Sequence, residues 1–258
     1  MSVVLFYNAK GGVGKSTIAA NVAYYLGTMY RVLLMDFSAA DRTSTTMLAG
    51  QCRTSAGIYD ILFRFDEAYG KRLAVETCPA RLNSIEVLPP GSLEKTVLQL
   101  DYYVLAKRVD VLMNIVRHFV FTIVDYPGRS ILTDPLLQAL VRHVDHLVLV
   151  TQPTAASLNE AAEVRNFITQ HYKPPPVVSI VTNMYMNERT YEETMKTAGG
   201  FAVRVPADPA VYALGRIPAL AAERDGVSKE WKNSIKKIAE GIINAKMMRR
   251  HQVATFFP

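Results

Sequence analysis

Along the chain, short apolar and β-branched runs alternate with stretches whose apolar positions recur every three or four residues. The runs at 3–8 (VVLFYN), 31–36 (RVLLMD), 85–88 (IEVL), 119–125 (FVFTIVD), 145–151 (DHLVLVT), 177–182 (VVSIVT) and 202–205 predict strands. Several are apolar throughout, as expected of central strands covered on both faces. Helical periodicity is read at 16–27, 56–64, 104–117, 155–171, 188–197 and 228–248. The alternation predicts an α/β fold, a single-domain, mostly parallel sheet flanked by helices. No internal repeat, low-complexity segment or linker interrupts it, and the prolines at 174–176 end a helix and feed a strand. One domain is therefore expected over 1–258, closing in a basic helix and tail at 228–258.

Composition narrows the class. Half of the 258 residues are hydrophobic and a fifth are charged, which excludes a disordered chain. Two cysteines, Cys52 and Cys78, are too few for a disulfide scaffold, and neither sits in a CxxC pair that would mark a zinc ribbon or a thioredoxin-like site. No apolar run approaches the length of a membrane span, and Met1 leads directly into a strand, so a cytoplasmic location is expected. The charge is uneven. Residues 224–258 hold eight basic side chains (Arg224, Lys229, Lys232, Lys236, Lys237, Lys246, Arg249, Arg250) against three acids (Asp225, Glu230, Glu240). They carry nearly all of the net charge of +6, which points to a polyanionic partner, nucleic acid or an acidic membrane surface.

The sharpest motif is AKGGVGKST at residues 9–17, between an apolar strand and a helical pattern. That setting is what a phosphate loop needs. Gly11, Gly12 and Gly14 let the backbone curl, through Val13, until its N–H groups face an anion. The positive end of the helix that begins at the loop faces the same point. Lys15 would reach the β- and γ-phosphates of ATP, and the Ser16 hydroxyl, followed by Thr17, would take one position on Mg²⁺.

The general phosphate-loop pattern wants glycine where this chain has Ala9, and offers instead a second lysine, Lys10. KGGVGKST resembles the deviant Walker A motif of the ParA/MinD superfamily of ATPases, in pattern most like its ParA/Soj-type partition members. RVLLMDFSAADRTSTTMLAG is similar to that family's second strand and switch I. FVFTIVDYPGRS is similar to its switch II segment. LVLVTQPTAASLNEA, VSIVTNM and VPADPAVYALGRIP follow in the family's order and spacing. The resemblance implies a P-loop NTPase fold and an ATP hydrolase that forms a homodimer on ATP, with Lys10 reaching the phosphates bound by the other subunit. It further implies that Asp125 holds Mg²⁺ through water. Asn183 and the Pro206–Asp208 stretch would face the adenine, although a turn-forming Asn and a loop Pro account equally well for those residues.

Departures from the family's pattern bear on turnover. Switch I normally reads Asp-x-Asp; here Asp36 is followed by Ser38, which has no carboxylate to position water. The loss of such a group costs on the order of 10²–10⁴ in rate. Asp41, three residues on, is the candidate substitute, and slow hydrolysis is expected. Ala39 and Ala40 stand where Pro-Gln is usual, and Tyr126 and Gly128 where Thr and Pro are common. His143 and His146 form an HxxH with no supporting acids, read as a surface helix end and not a metal site. Trp231, Ile235, Ile238 and Ile242 recur at helical spacing and predict a last helix packed on the sheet. Its basic face is either simply solvated or a DNA-binding surface that includes Lys232, Lys236, Arg249 and Arg250.

The expected function is that of a ParA-like ATPase that dimerises on ATP and binds DNA non-specifically. It would segregate or position a plasmid or chromosome with a ParB-like adaptor, on the nucleoid. A MinD-like ATPase that docks on membrane through its tail, and an ATP-binding scaffold with little hydrolysis, are the alternatives.

Overall fold

The apolar runs assemble as one sheet. A computed structural model describes residues 1–50, 52, 54, 56–63, 77–80, 82–92, 94–185, 202–214 and 220–254. Among these, the strands are β1 (Ser2–Tyr7), β2 (Val32–Asp36), β3 (Cys78–Pro79), β4 (Ile85–Leu88), β5 (Phe121–Asp125), β6 (His146–Thr151), β7 (Val177–Tyr185) and β8 (Ala202–Pro206). The helices are α1 (Lys15–Gly27), α2 (Thr43–Ala49), α3 (Ile58–Phe63), α4 (Glu94–Val97), α5 (Tyr102–Ile115), α6 (Pro135–Val141), α7 (Ala155–His171), α8 (Pro209–Leu214) and α9 (Lys229–Ala254), with a 3-10 turn at Ala221–Glu223.

The sheet order is β3-β4-β2-β5-β1-β6-β7-β8. All of its pairs are parallel except β3 with β4 at the edge. From β1 the chain moves first toward β2, and later, from β6, in the opposite direction. A ligand crevice forms where such a parallel sheet changes direction, outside the carboxyl ends of its strands. Register brings the chemistry to that edge: Phe6 and Asp36 both pair with Asp125, so the two aspartates are neighbours just below the phosphate loop.

Both faces of the sheet are covered, which is why its strands read as unbroken apolar runs. Val3, Leu5 and Tyr7 join a core built with α3, α5 and α6. Val4 and Phe6 join a second core with α1, α2 and α9, and there Trp231, Ile235, Ile238 and Ile242 pack as their spacing predicted. Lys246 anchors the far part of α9, donating to the carbonyl of Val120 at 2.8 Å and standing 4.3 Å above the ring of Phe121.

Several readings change. The strand expected at 177–182 continues to Tyr185, with a break in register after Thr182 and Met184 at φ 59°. The helix expected at 188–197 lies outside the described residues, and the one at 56–64 is helical from Ile58 to Phe63. His146 is not at a surface helix end. It opens β6, buried, with Nε2 2.7 Å from Ser179 Oγ, and burial lowers its pKa from 6.5 to about 4. His143 lies 2.8 Å from Asp110 Oδ1. Although composition argued against a disulfide scaffold, the chain does carry one bridge, Cys52–Cys78.

Candidate functional site

Asn8, at the end of β1, turns the chain out of the sheet. Its Nδ2 donates to the carbonyl of Val150 on β6 at 2.7 Å, and its Oδ1 accepts the Lys10 amide at 2.7 Å. Gly12 and Gly14 then take φ of 76° and 88°, left-handed values that cost glycine nothing. The helix α1 starts at Lys15 with no side-chain cap on its first turn. The unpaired amides of that turn and its positive dipole end converge where an anion would sit. Lys15 is buried, and its Nζ reaches across the loop to donate to the Lys10 carbonyl at 2.9 Å. Burial lowers its pKa, against the pull of Asp125.

Asp36 and Asp125 stand side by side beneath this loop but are served differently. Asp36 Oδ1 accepts the Ser38 amide at 2.8 Å, and its Oδ2 accepts the amide and hydroxyl of Thr45 at 3.0 and 2.7 Å. It therefore folds switch I and fixes the start of α2. Asp125 has both carboxylate oxygens buried without a hydrogen-bond partner, and Ser44 Oγ nearby is in the same condition. Orphaned hard oxygens beside the Ser16 position fit a hydrated divalent cation such as Mg²⁺, which prefers oxygen ligands and retains water. Asp41, the candidate substitute carboxylate, is exposed.

Switch II lies directly on the phosphate loop, and its two unusual residues have physical reasons. A Cβ at Gly128 would stand 2.8 Å from both the Gly11 amide nitrogen and the Lys10 carbonyl carbon, so only glycine passes there without moving the loop. Tyr126 is buried among Phe37 and Tyr59, and its hydroxyl donates to Asp134 Oδ2 at 2.8 Å. Asp134 Oδ1 in turn caps α6 by accepting the amides of Leu136 and Leu137. Tyr7 was missed in sequence because it reads as one more apolar strand residue. Its hydroxyl donates to the Arg129 carbonyl at 2.8 Å and accepts the Ile131 amide at 3.0 Å, pinning switch II to β1. Gly128→Ala should cost about 1–3 kcal/mol through overpacking against backbone. A thermal melt should show a lower midpoint, and titration weaker nucleotide binding; unchanged values would mean the loop yields freely.

The remaining predicted residues are placed as follows. Lys10 is 61% exposed, and its Nζ lies 3.6 Å from Glu160 Oε2 on α7. Asn183, expected at the adenine, uses its Nδ2 to donate to the Val13 carbonyl at 2.8 Å and so braces the phosphate loop. Asp208 accepts the amides of Ala210, Val211 and Ser228, tying α8 to the segment before α9, and Pro206 closes β8. Lys232 donates to the Arg224 carbonyl at 2.7 Å and Lys236 pairs with Glu240 at 3.8 Å. The side chains of Arg249 and Arg250 lie outside the described residues. Lys237, by contrast, lines a cleft of about 580 Å³ between α9 and the β7–β8 edge, together with Tyr185, Arg204, Glu230 and Asn233.

A family model described as an AAA domain matches residues 1–175. A curated relative, the virulence plasmid ParA family protein pGP5-D of Chlamydia trachomatis, is 27% identical over 107 residues, spanning 40% of this chain and 38% of that protein. Among solved structures, the septum site-determining protein MinD of Pyrococcus horikoshii, complexed with Mg-ADP, is similar with a TM-score of 0.73 and 17% identity. The alignment covers 93% of this chain and 95% of that one. A ParA family ATPase from Chlorobium tepidum aligns with a TM-score of 0.70 and 23% identity over 92% of this chain and 97% of that one.

Proposed function

The chain belongs to the ParA/MinD superfamily of P-loop ATPases, and from that premise we propose that it is a positioning ATPase. In this reading ATP with Mg²⁺ closes a homodimer, the dimer holds DNA non-specifically, and a ParB-like adaptor or slow hydrolysis resets it. The observation that carries it is the phosphate loop itself. Lys15 is buried against the loop while Lys10 projects from its rim, held on this chain by one 3.6 Å ion pair with Glu160. A half-exposed pair of that kind is worth little, so Lys10 can leave Glu160 for a phosphate of a second subunit at small cost.

Within the site, Lys15 and the α1 amides hold the phosphates, Asp125 and Ser16 hold the hydrated Mg²⁺, and Asp36 keeps switch I in register. Mg²⁺ would supply charge neutralisation on the phosphate oxygens. Asp36 is held by Ser38 and Thr45, Ser38 stands where the second switch I carboxylate is usual, and Asp41 is exposed, so switch I offers no spare carboxylate to position water. Hydrolysis is therefore slow.

The DNA surface rests on the C-terminal charge. Beside Lys232 and Lys236, the cleft along α9 holds two further cations near Asn233, Lys237 and Arg204, the latter donating to the Tyr185 hydroxyl at 3.3 Å. Met247, 54% exposed near the end of α9, favours the membrane-docking alternative, in which an apolar tail joins the charges.

Light scattering with ATP and Mg²⁺, followed by titration with duplex DNA and anionic liposomes, tests the reading. A dimer is expected that Lys10→Ala abolishes, with DNA affinity falling steeply with salt. Replacing Lys237 and Arg204 by Ala should reduce the log–log salt slope by about one per lost phosphate contact. Full dimerisation of Lys10→Ala would remove the lysine's role across the interface. ATP-dependent liposome binding without DNA binding would replace partition by membrane positioning.

A further inference from the structure

We propose that Cys52 and Cys78 form a thiol–disulfide exchange site whose state sets how firmly switch I is held. The two residues lie 26 apart in sequence with Cα atoms 5.8 Å apart, and are bridged. The bridge closes a ring that runs through the nucleotide site. From Cys52 the chain leads back through Gly50, whose carbonyl accepts the Cys52 amide at 3.1 Å, into α2, and at the start of α2 Thr45 bonds Asp36. From Cys78 the path crosses the sheet edge to Val87 on β4 and Leu34 on β2, the strand that ends in Asp36. On one side of this ring the link is the Asp36–Thr45 hydrogen bonds; on the other it is the disulfide. The strand that carries Cys78 has only two residues, and the bridge is the covalent tie between the segment after α2 and that edge, beside the apolar core that Met47 and Leu48 share with Val87.

The exchange chemistry follows from exposure. Cys78 is 7% exposed and sits in the core beside Met47, Leu48 and Val87, whereas Cys52 is half-buried. A small thiolate therefore attacks the Cys52 sulfur, the bridge breaks, and Cys78 leaves as a thiolate and takes a proton. A second thiol attacks the mixed disulfide, releasing the Cys52 thiolate and a small-molecule disulfide. One protein disulfide and two thiols thus become two protein thiols and one small disulfide, and the reverse balances likewise. An ATP-using protein works where reducing thiols accompany ATP, and cysteine pairs there are transient and redox-sensing more often than permanent staples. That last step rests on the ATP reading; the ring itself does not.

The test equilibrates the full chain in mixtures of reduced and oxidised glutathione, traps free thiols with a maleimide, and counts labels by mass. Zero- and two-label forms should interconvert within the glutathione range. On reduction, hydrogen exchange across 43–49 should speed up several-fold and Mg²⁺-dependent affinity for a non-hydrolysable ATP analogue should fall about three-fold or more, with unchanged far-UV circular dichroism. Cys52→Ser should behave as reduced protein in every mixture. A bridge that never forms, one that never opens, or identical exchange across 43–49 in both states would overturn the proposal. Lys15→Ala separates the two readings: it should show the same thiol titration and the same change in exchange while its nucleotide affinity stays strongly weakened in either state.

Discussion

Lys15→Ala should lower ATP affinity by roughly 30-fold or more, the loss expected when a charge-assisted bond of about 2–3 kcal/mol to phosphate is removed. The loss is larger than at a surface lysine because Lys15 is buried and acts on the charge of buried Asp125. Without its ammonium the Asp125 carboxylate faces the phosphates unopposed. The Lys10 carbonyl would also lose the donor that now holds it at 2.9 Å, so the loop would lose shape as well as charge. Lys15→Arg should not rescue binding, since a planar guanidinium does not fit where a compact ammonium is enclosed by the loop. Titration of a fluorescent nucleotide with each protein measures this. Unchanged affinity in the alanine variant would sink the phosphate-loop assignment and with it the function proposed above.

Much of this site was readable because it is local in sequence. The loop, its strand and its helix are contiguous, and the apolar runs of β1, β2, β5 and β6 announce strands buried on both faces. What stayed hidden depends on contacts between distant residues. The helix α2, TSTTMLA, has too few apolar positions for a helical period, and it forms because Asp36 accepts the amide and hydroxyl of Thr45. The helix α6 is only seven residues long and starts at the Asp134–Pro135 cap, a signal too brief to stand out beside the longer periodic stretches. Asn183 is 170 residues from the Val13 carbonyl that it holds, and Cys78 meets Cys52 only because β3 turns back antiparallel on β4. The serine at position 38 and the glycine at 128 looked alike as departures from a family pattern. The structure separates them: Gly128 answers a steric demand of the phosphate loop, while Ser38 offers its amide to Asp36 and no carboxylate to water.

Asp125→Asn should flatten the pH dependence of stability of the ligand-free protein and remove its response to Mg²⁺. Burial, and then the charge of neighbouring Asp36, raises the Asp125 pKa from 3.8 to about 7. Asp36 is also raised by burial, against the hydrogen bonds of Thr45 and Ser38. A folded pKa above the unfolded one means that the folded protein binds this proton more tightly. The stability it contributes is complete below about pH 4 and is lost as pH rises through about 7, with a slope of up to about 1.4 kcal/mol per pH unit for one proton. His146 works in the opposite sense, its depressed pKa of about 4 costing stability as pH falls below 6.5. Because His146 is present in both proteins, the difference between wild type and Asp125→Asn isolates the carboxylate. Above pH 7 the Asp125 carboxylate is charged, and a hydrated cation takes over the balance that the proton gave. Mg²⁺ with a non-hydrolysable ATP analogue should therefore raise the melting midpoint of wild type more at pH 8 than at pH 6, and should add nothing beyond the analogue alone in the Asn variant. Melts between pH 4 and 8, with and without Mg²⁺, decide it: parallel profiles for the two proteins would show that Asp125 is not the group that titrates, and an equal Mg²⁺ gain in both would remove it from the cation site.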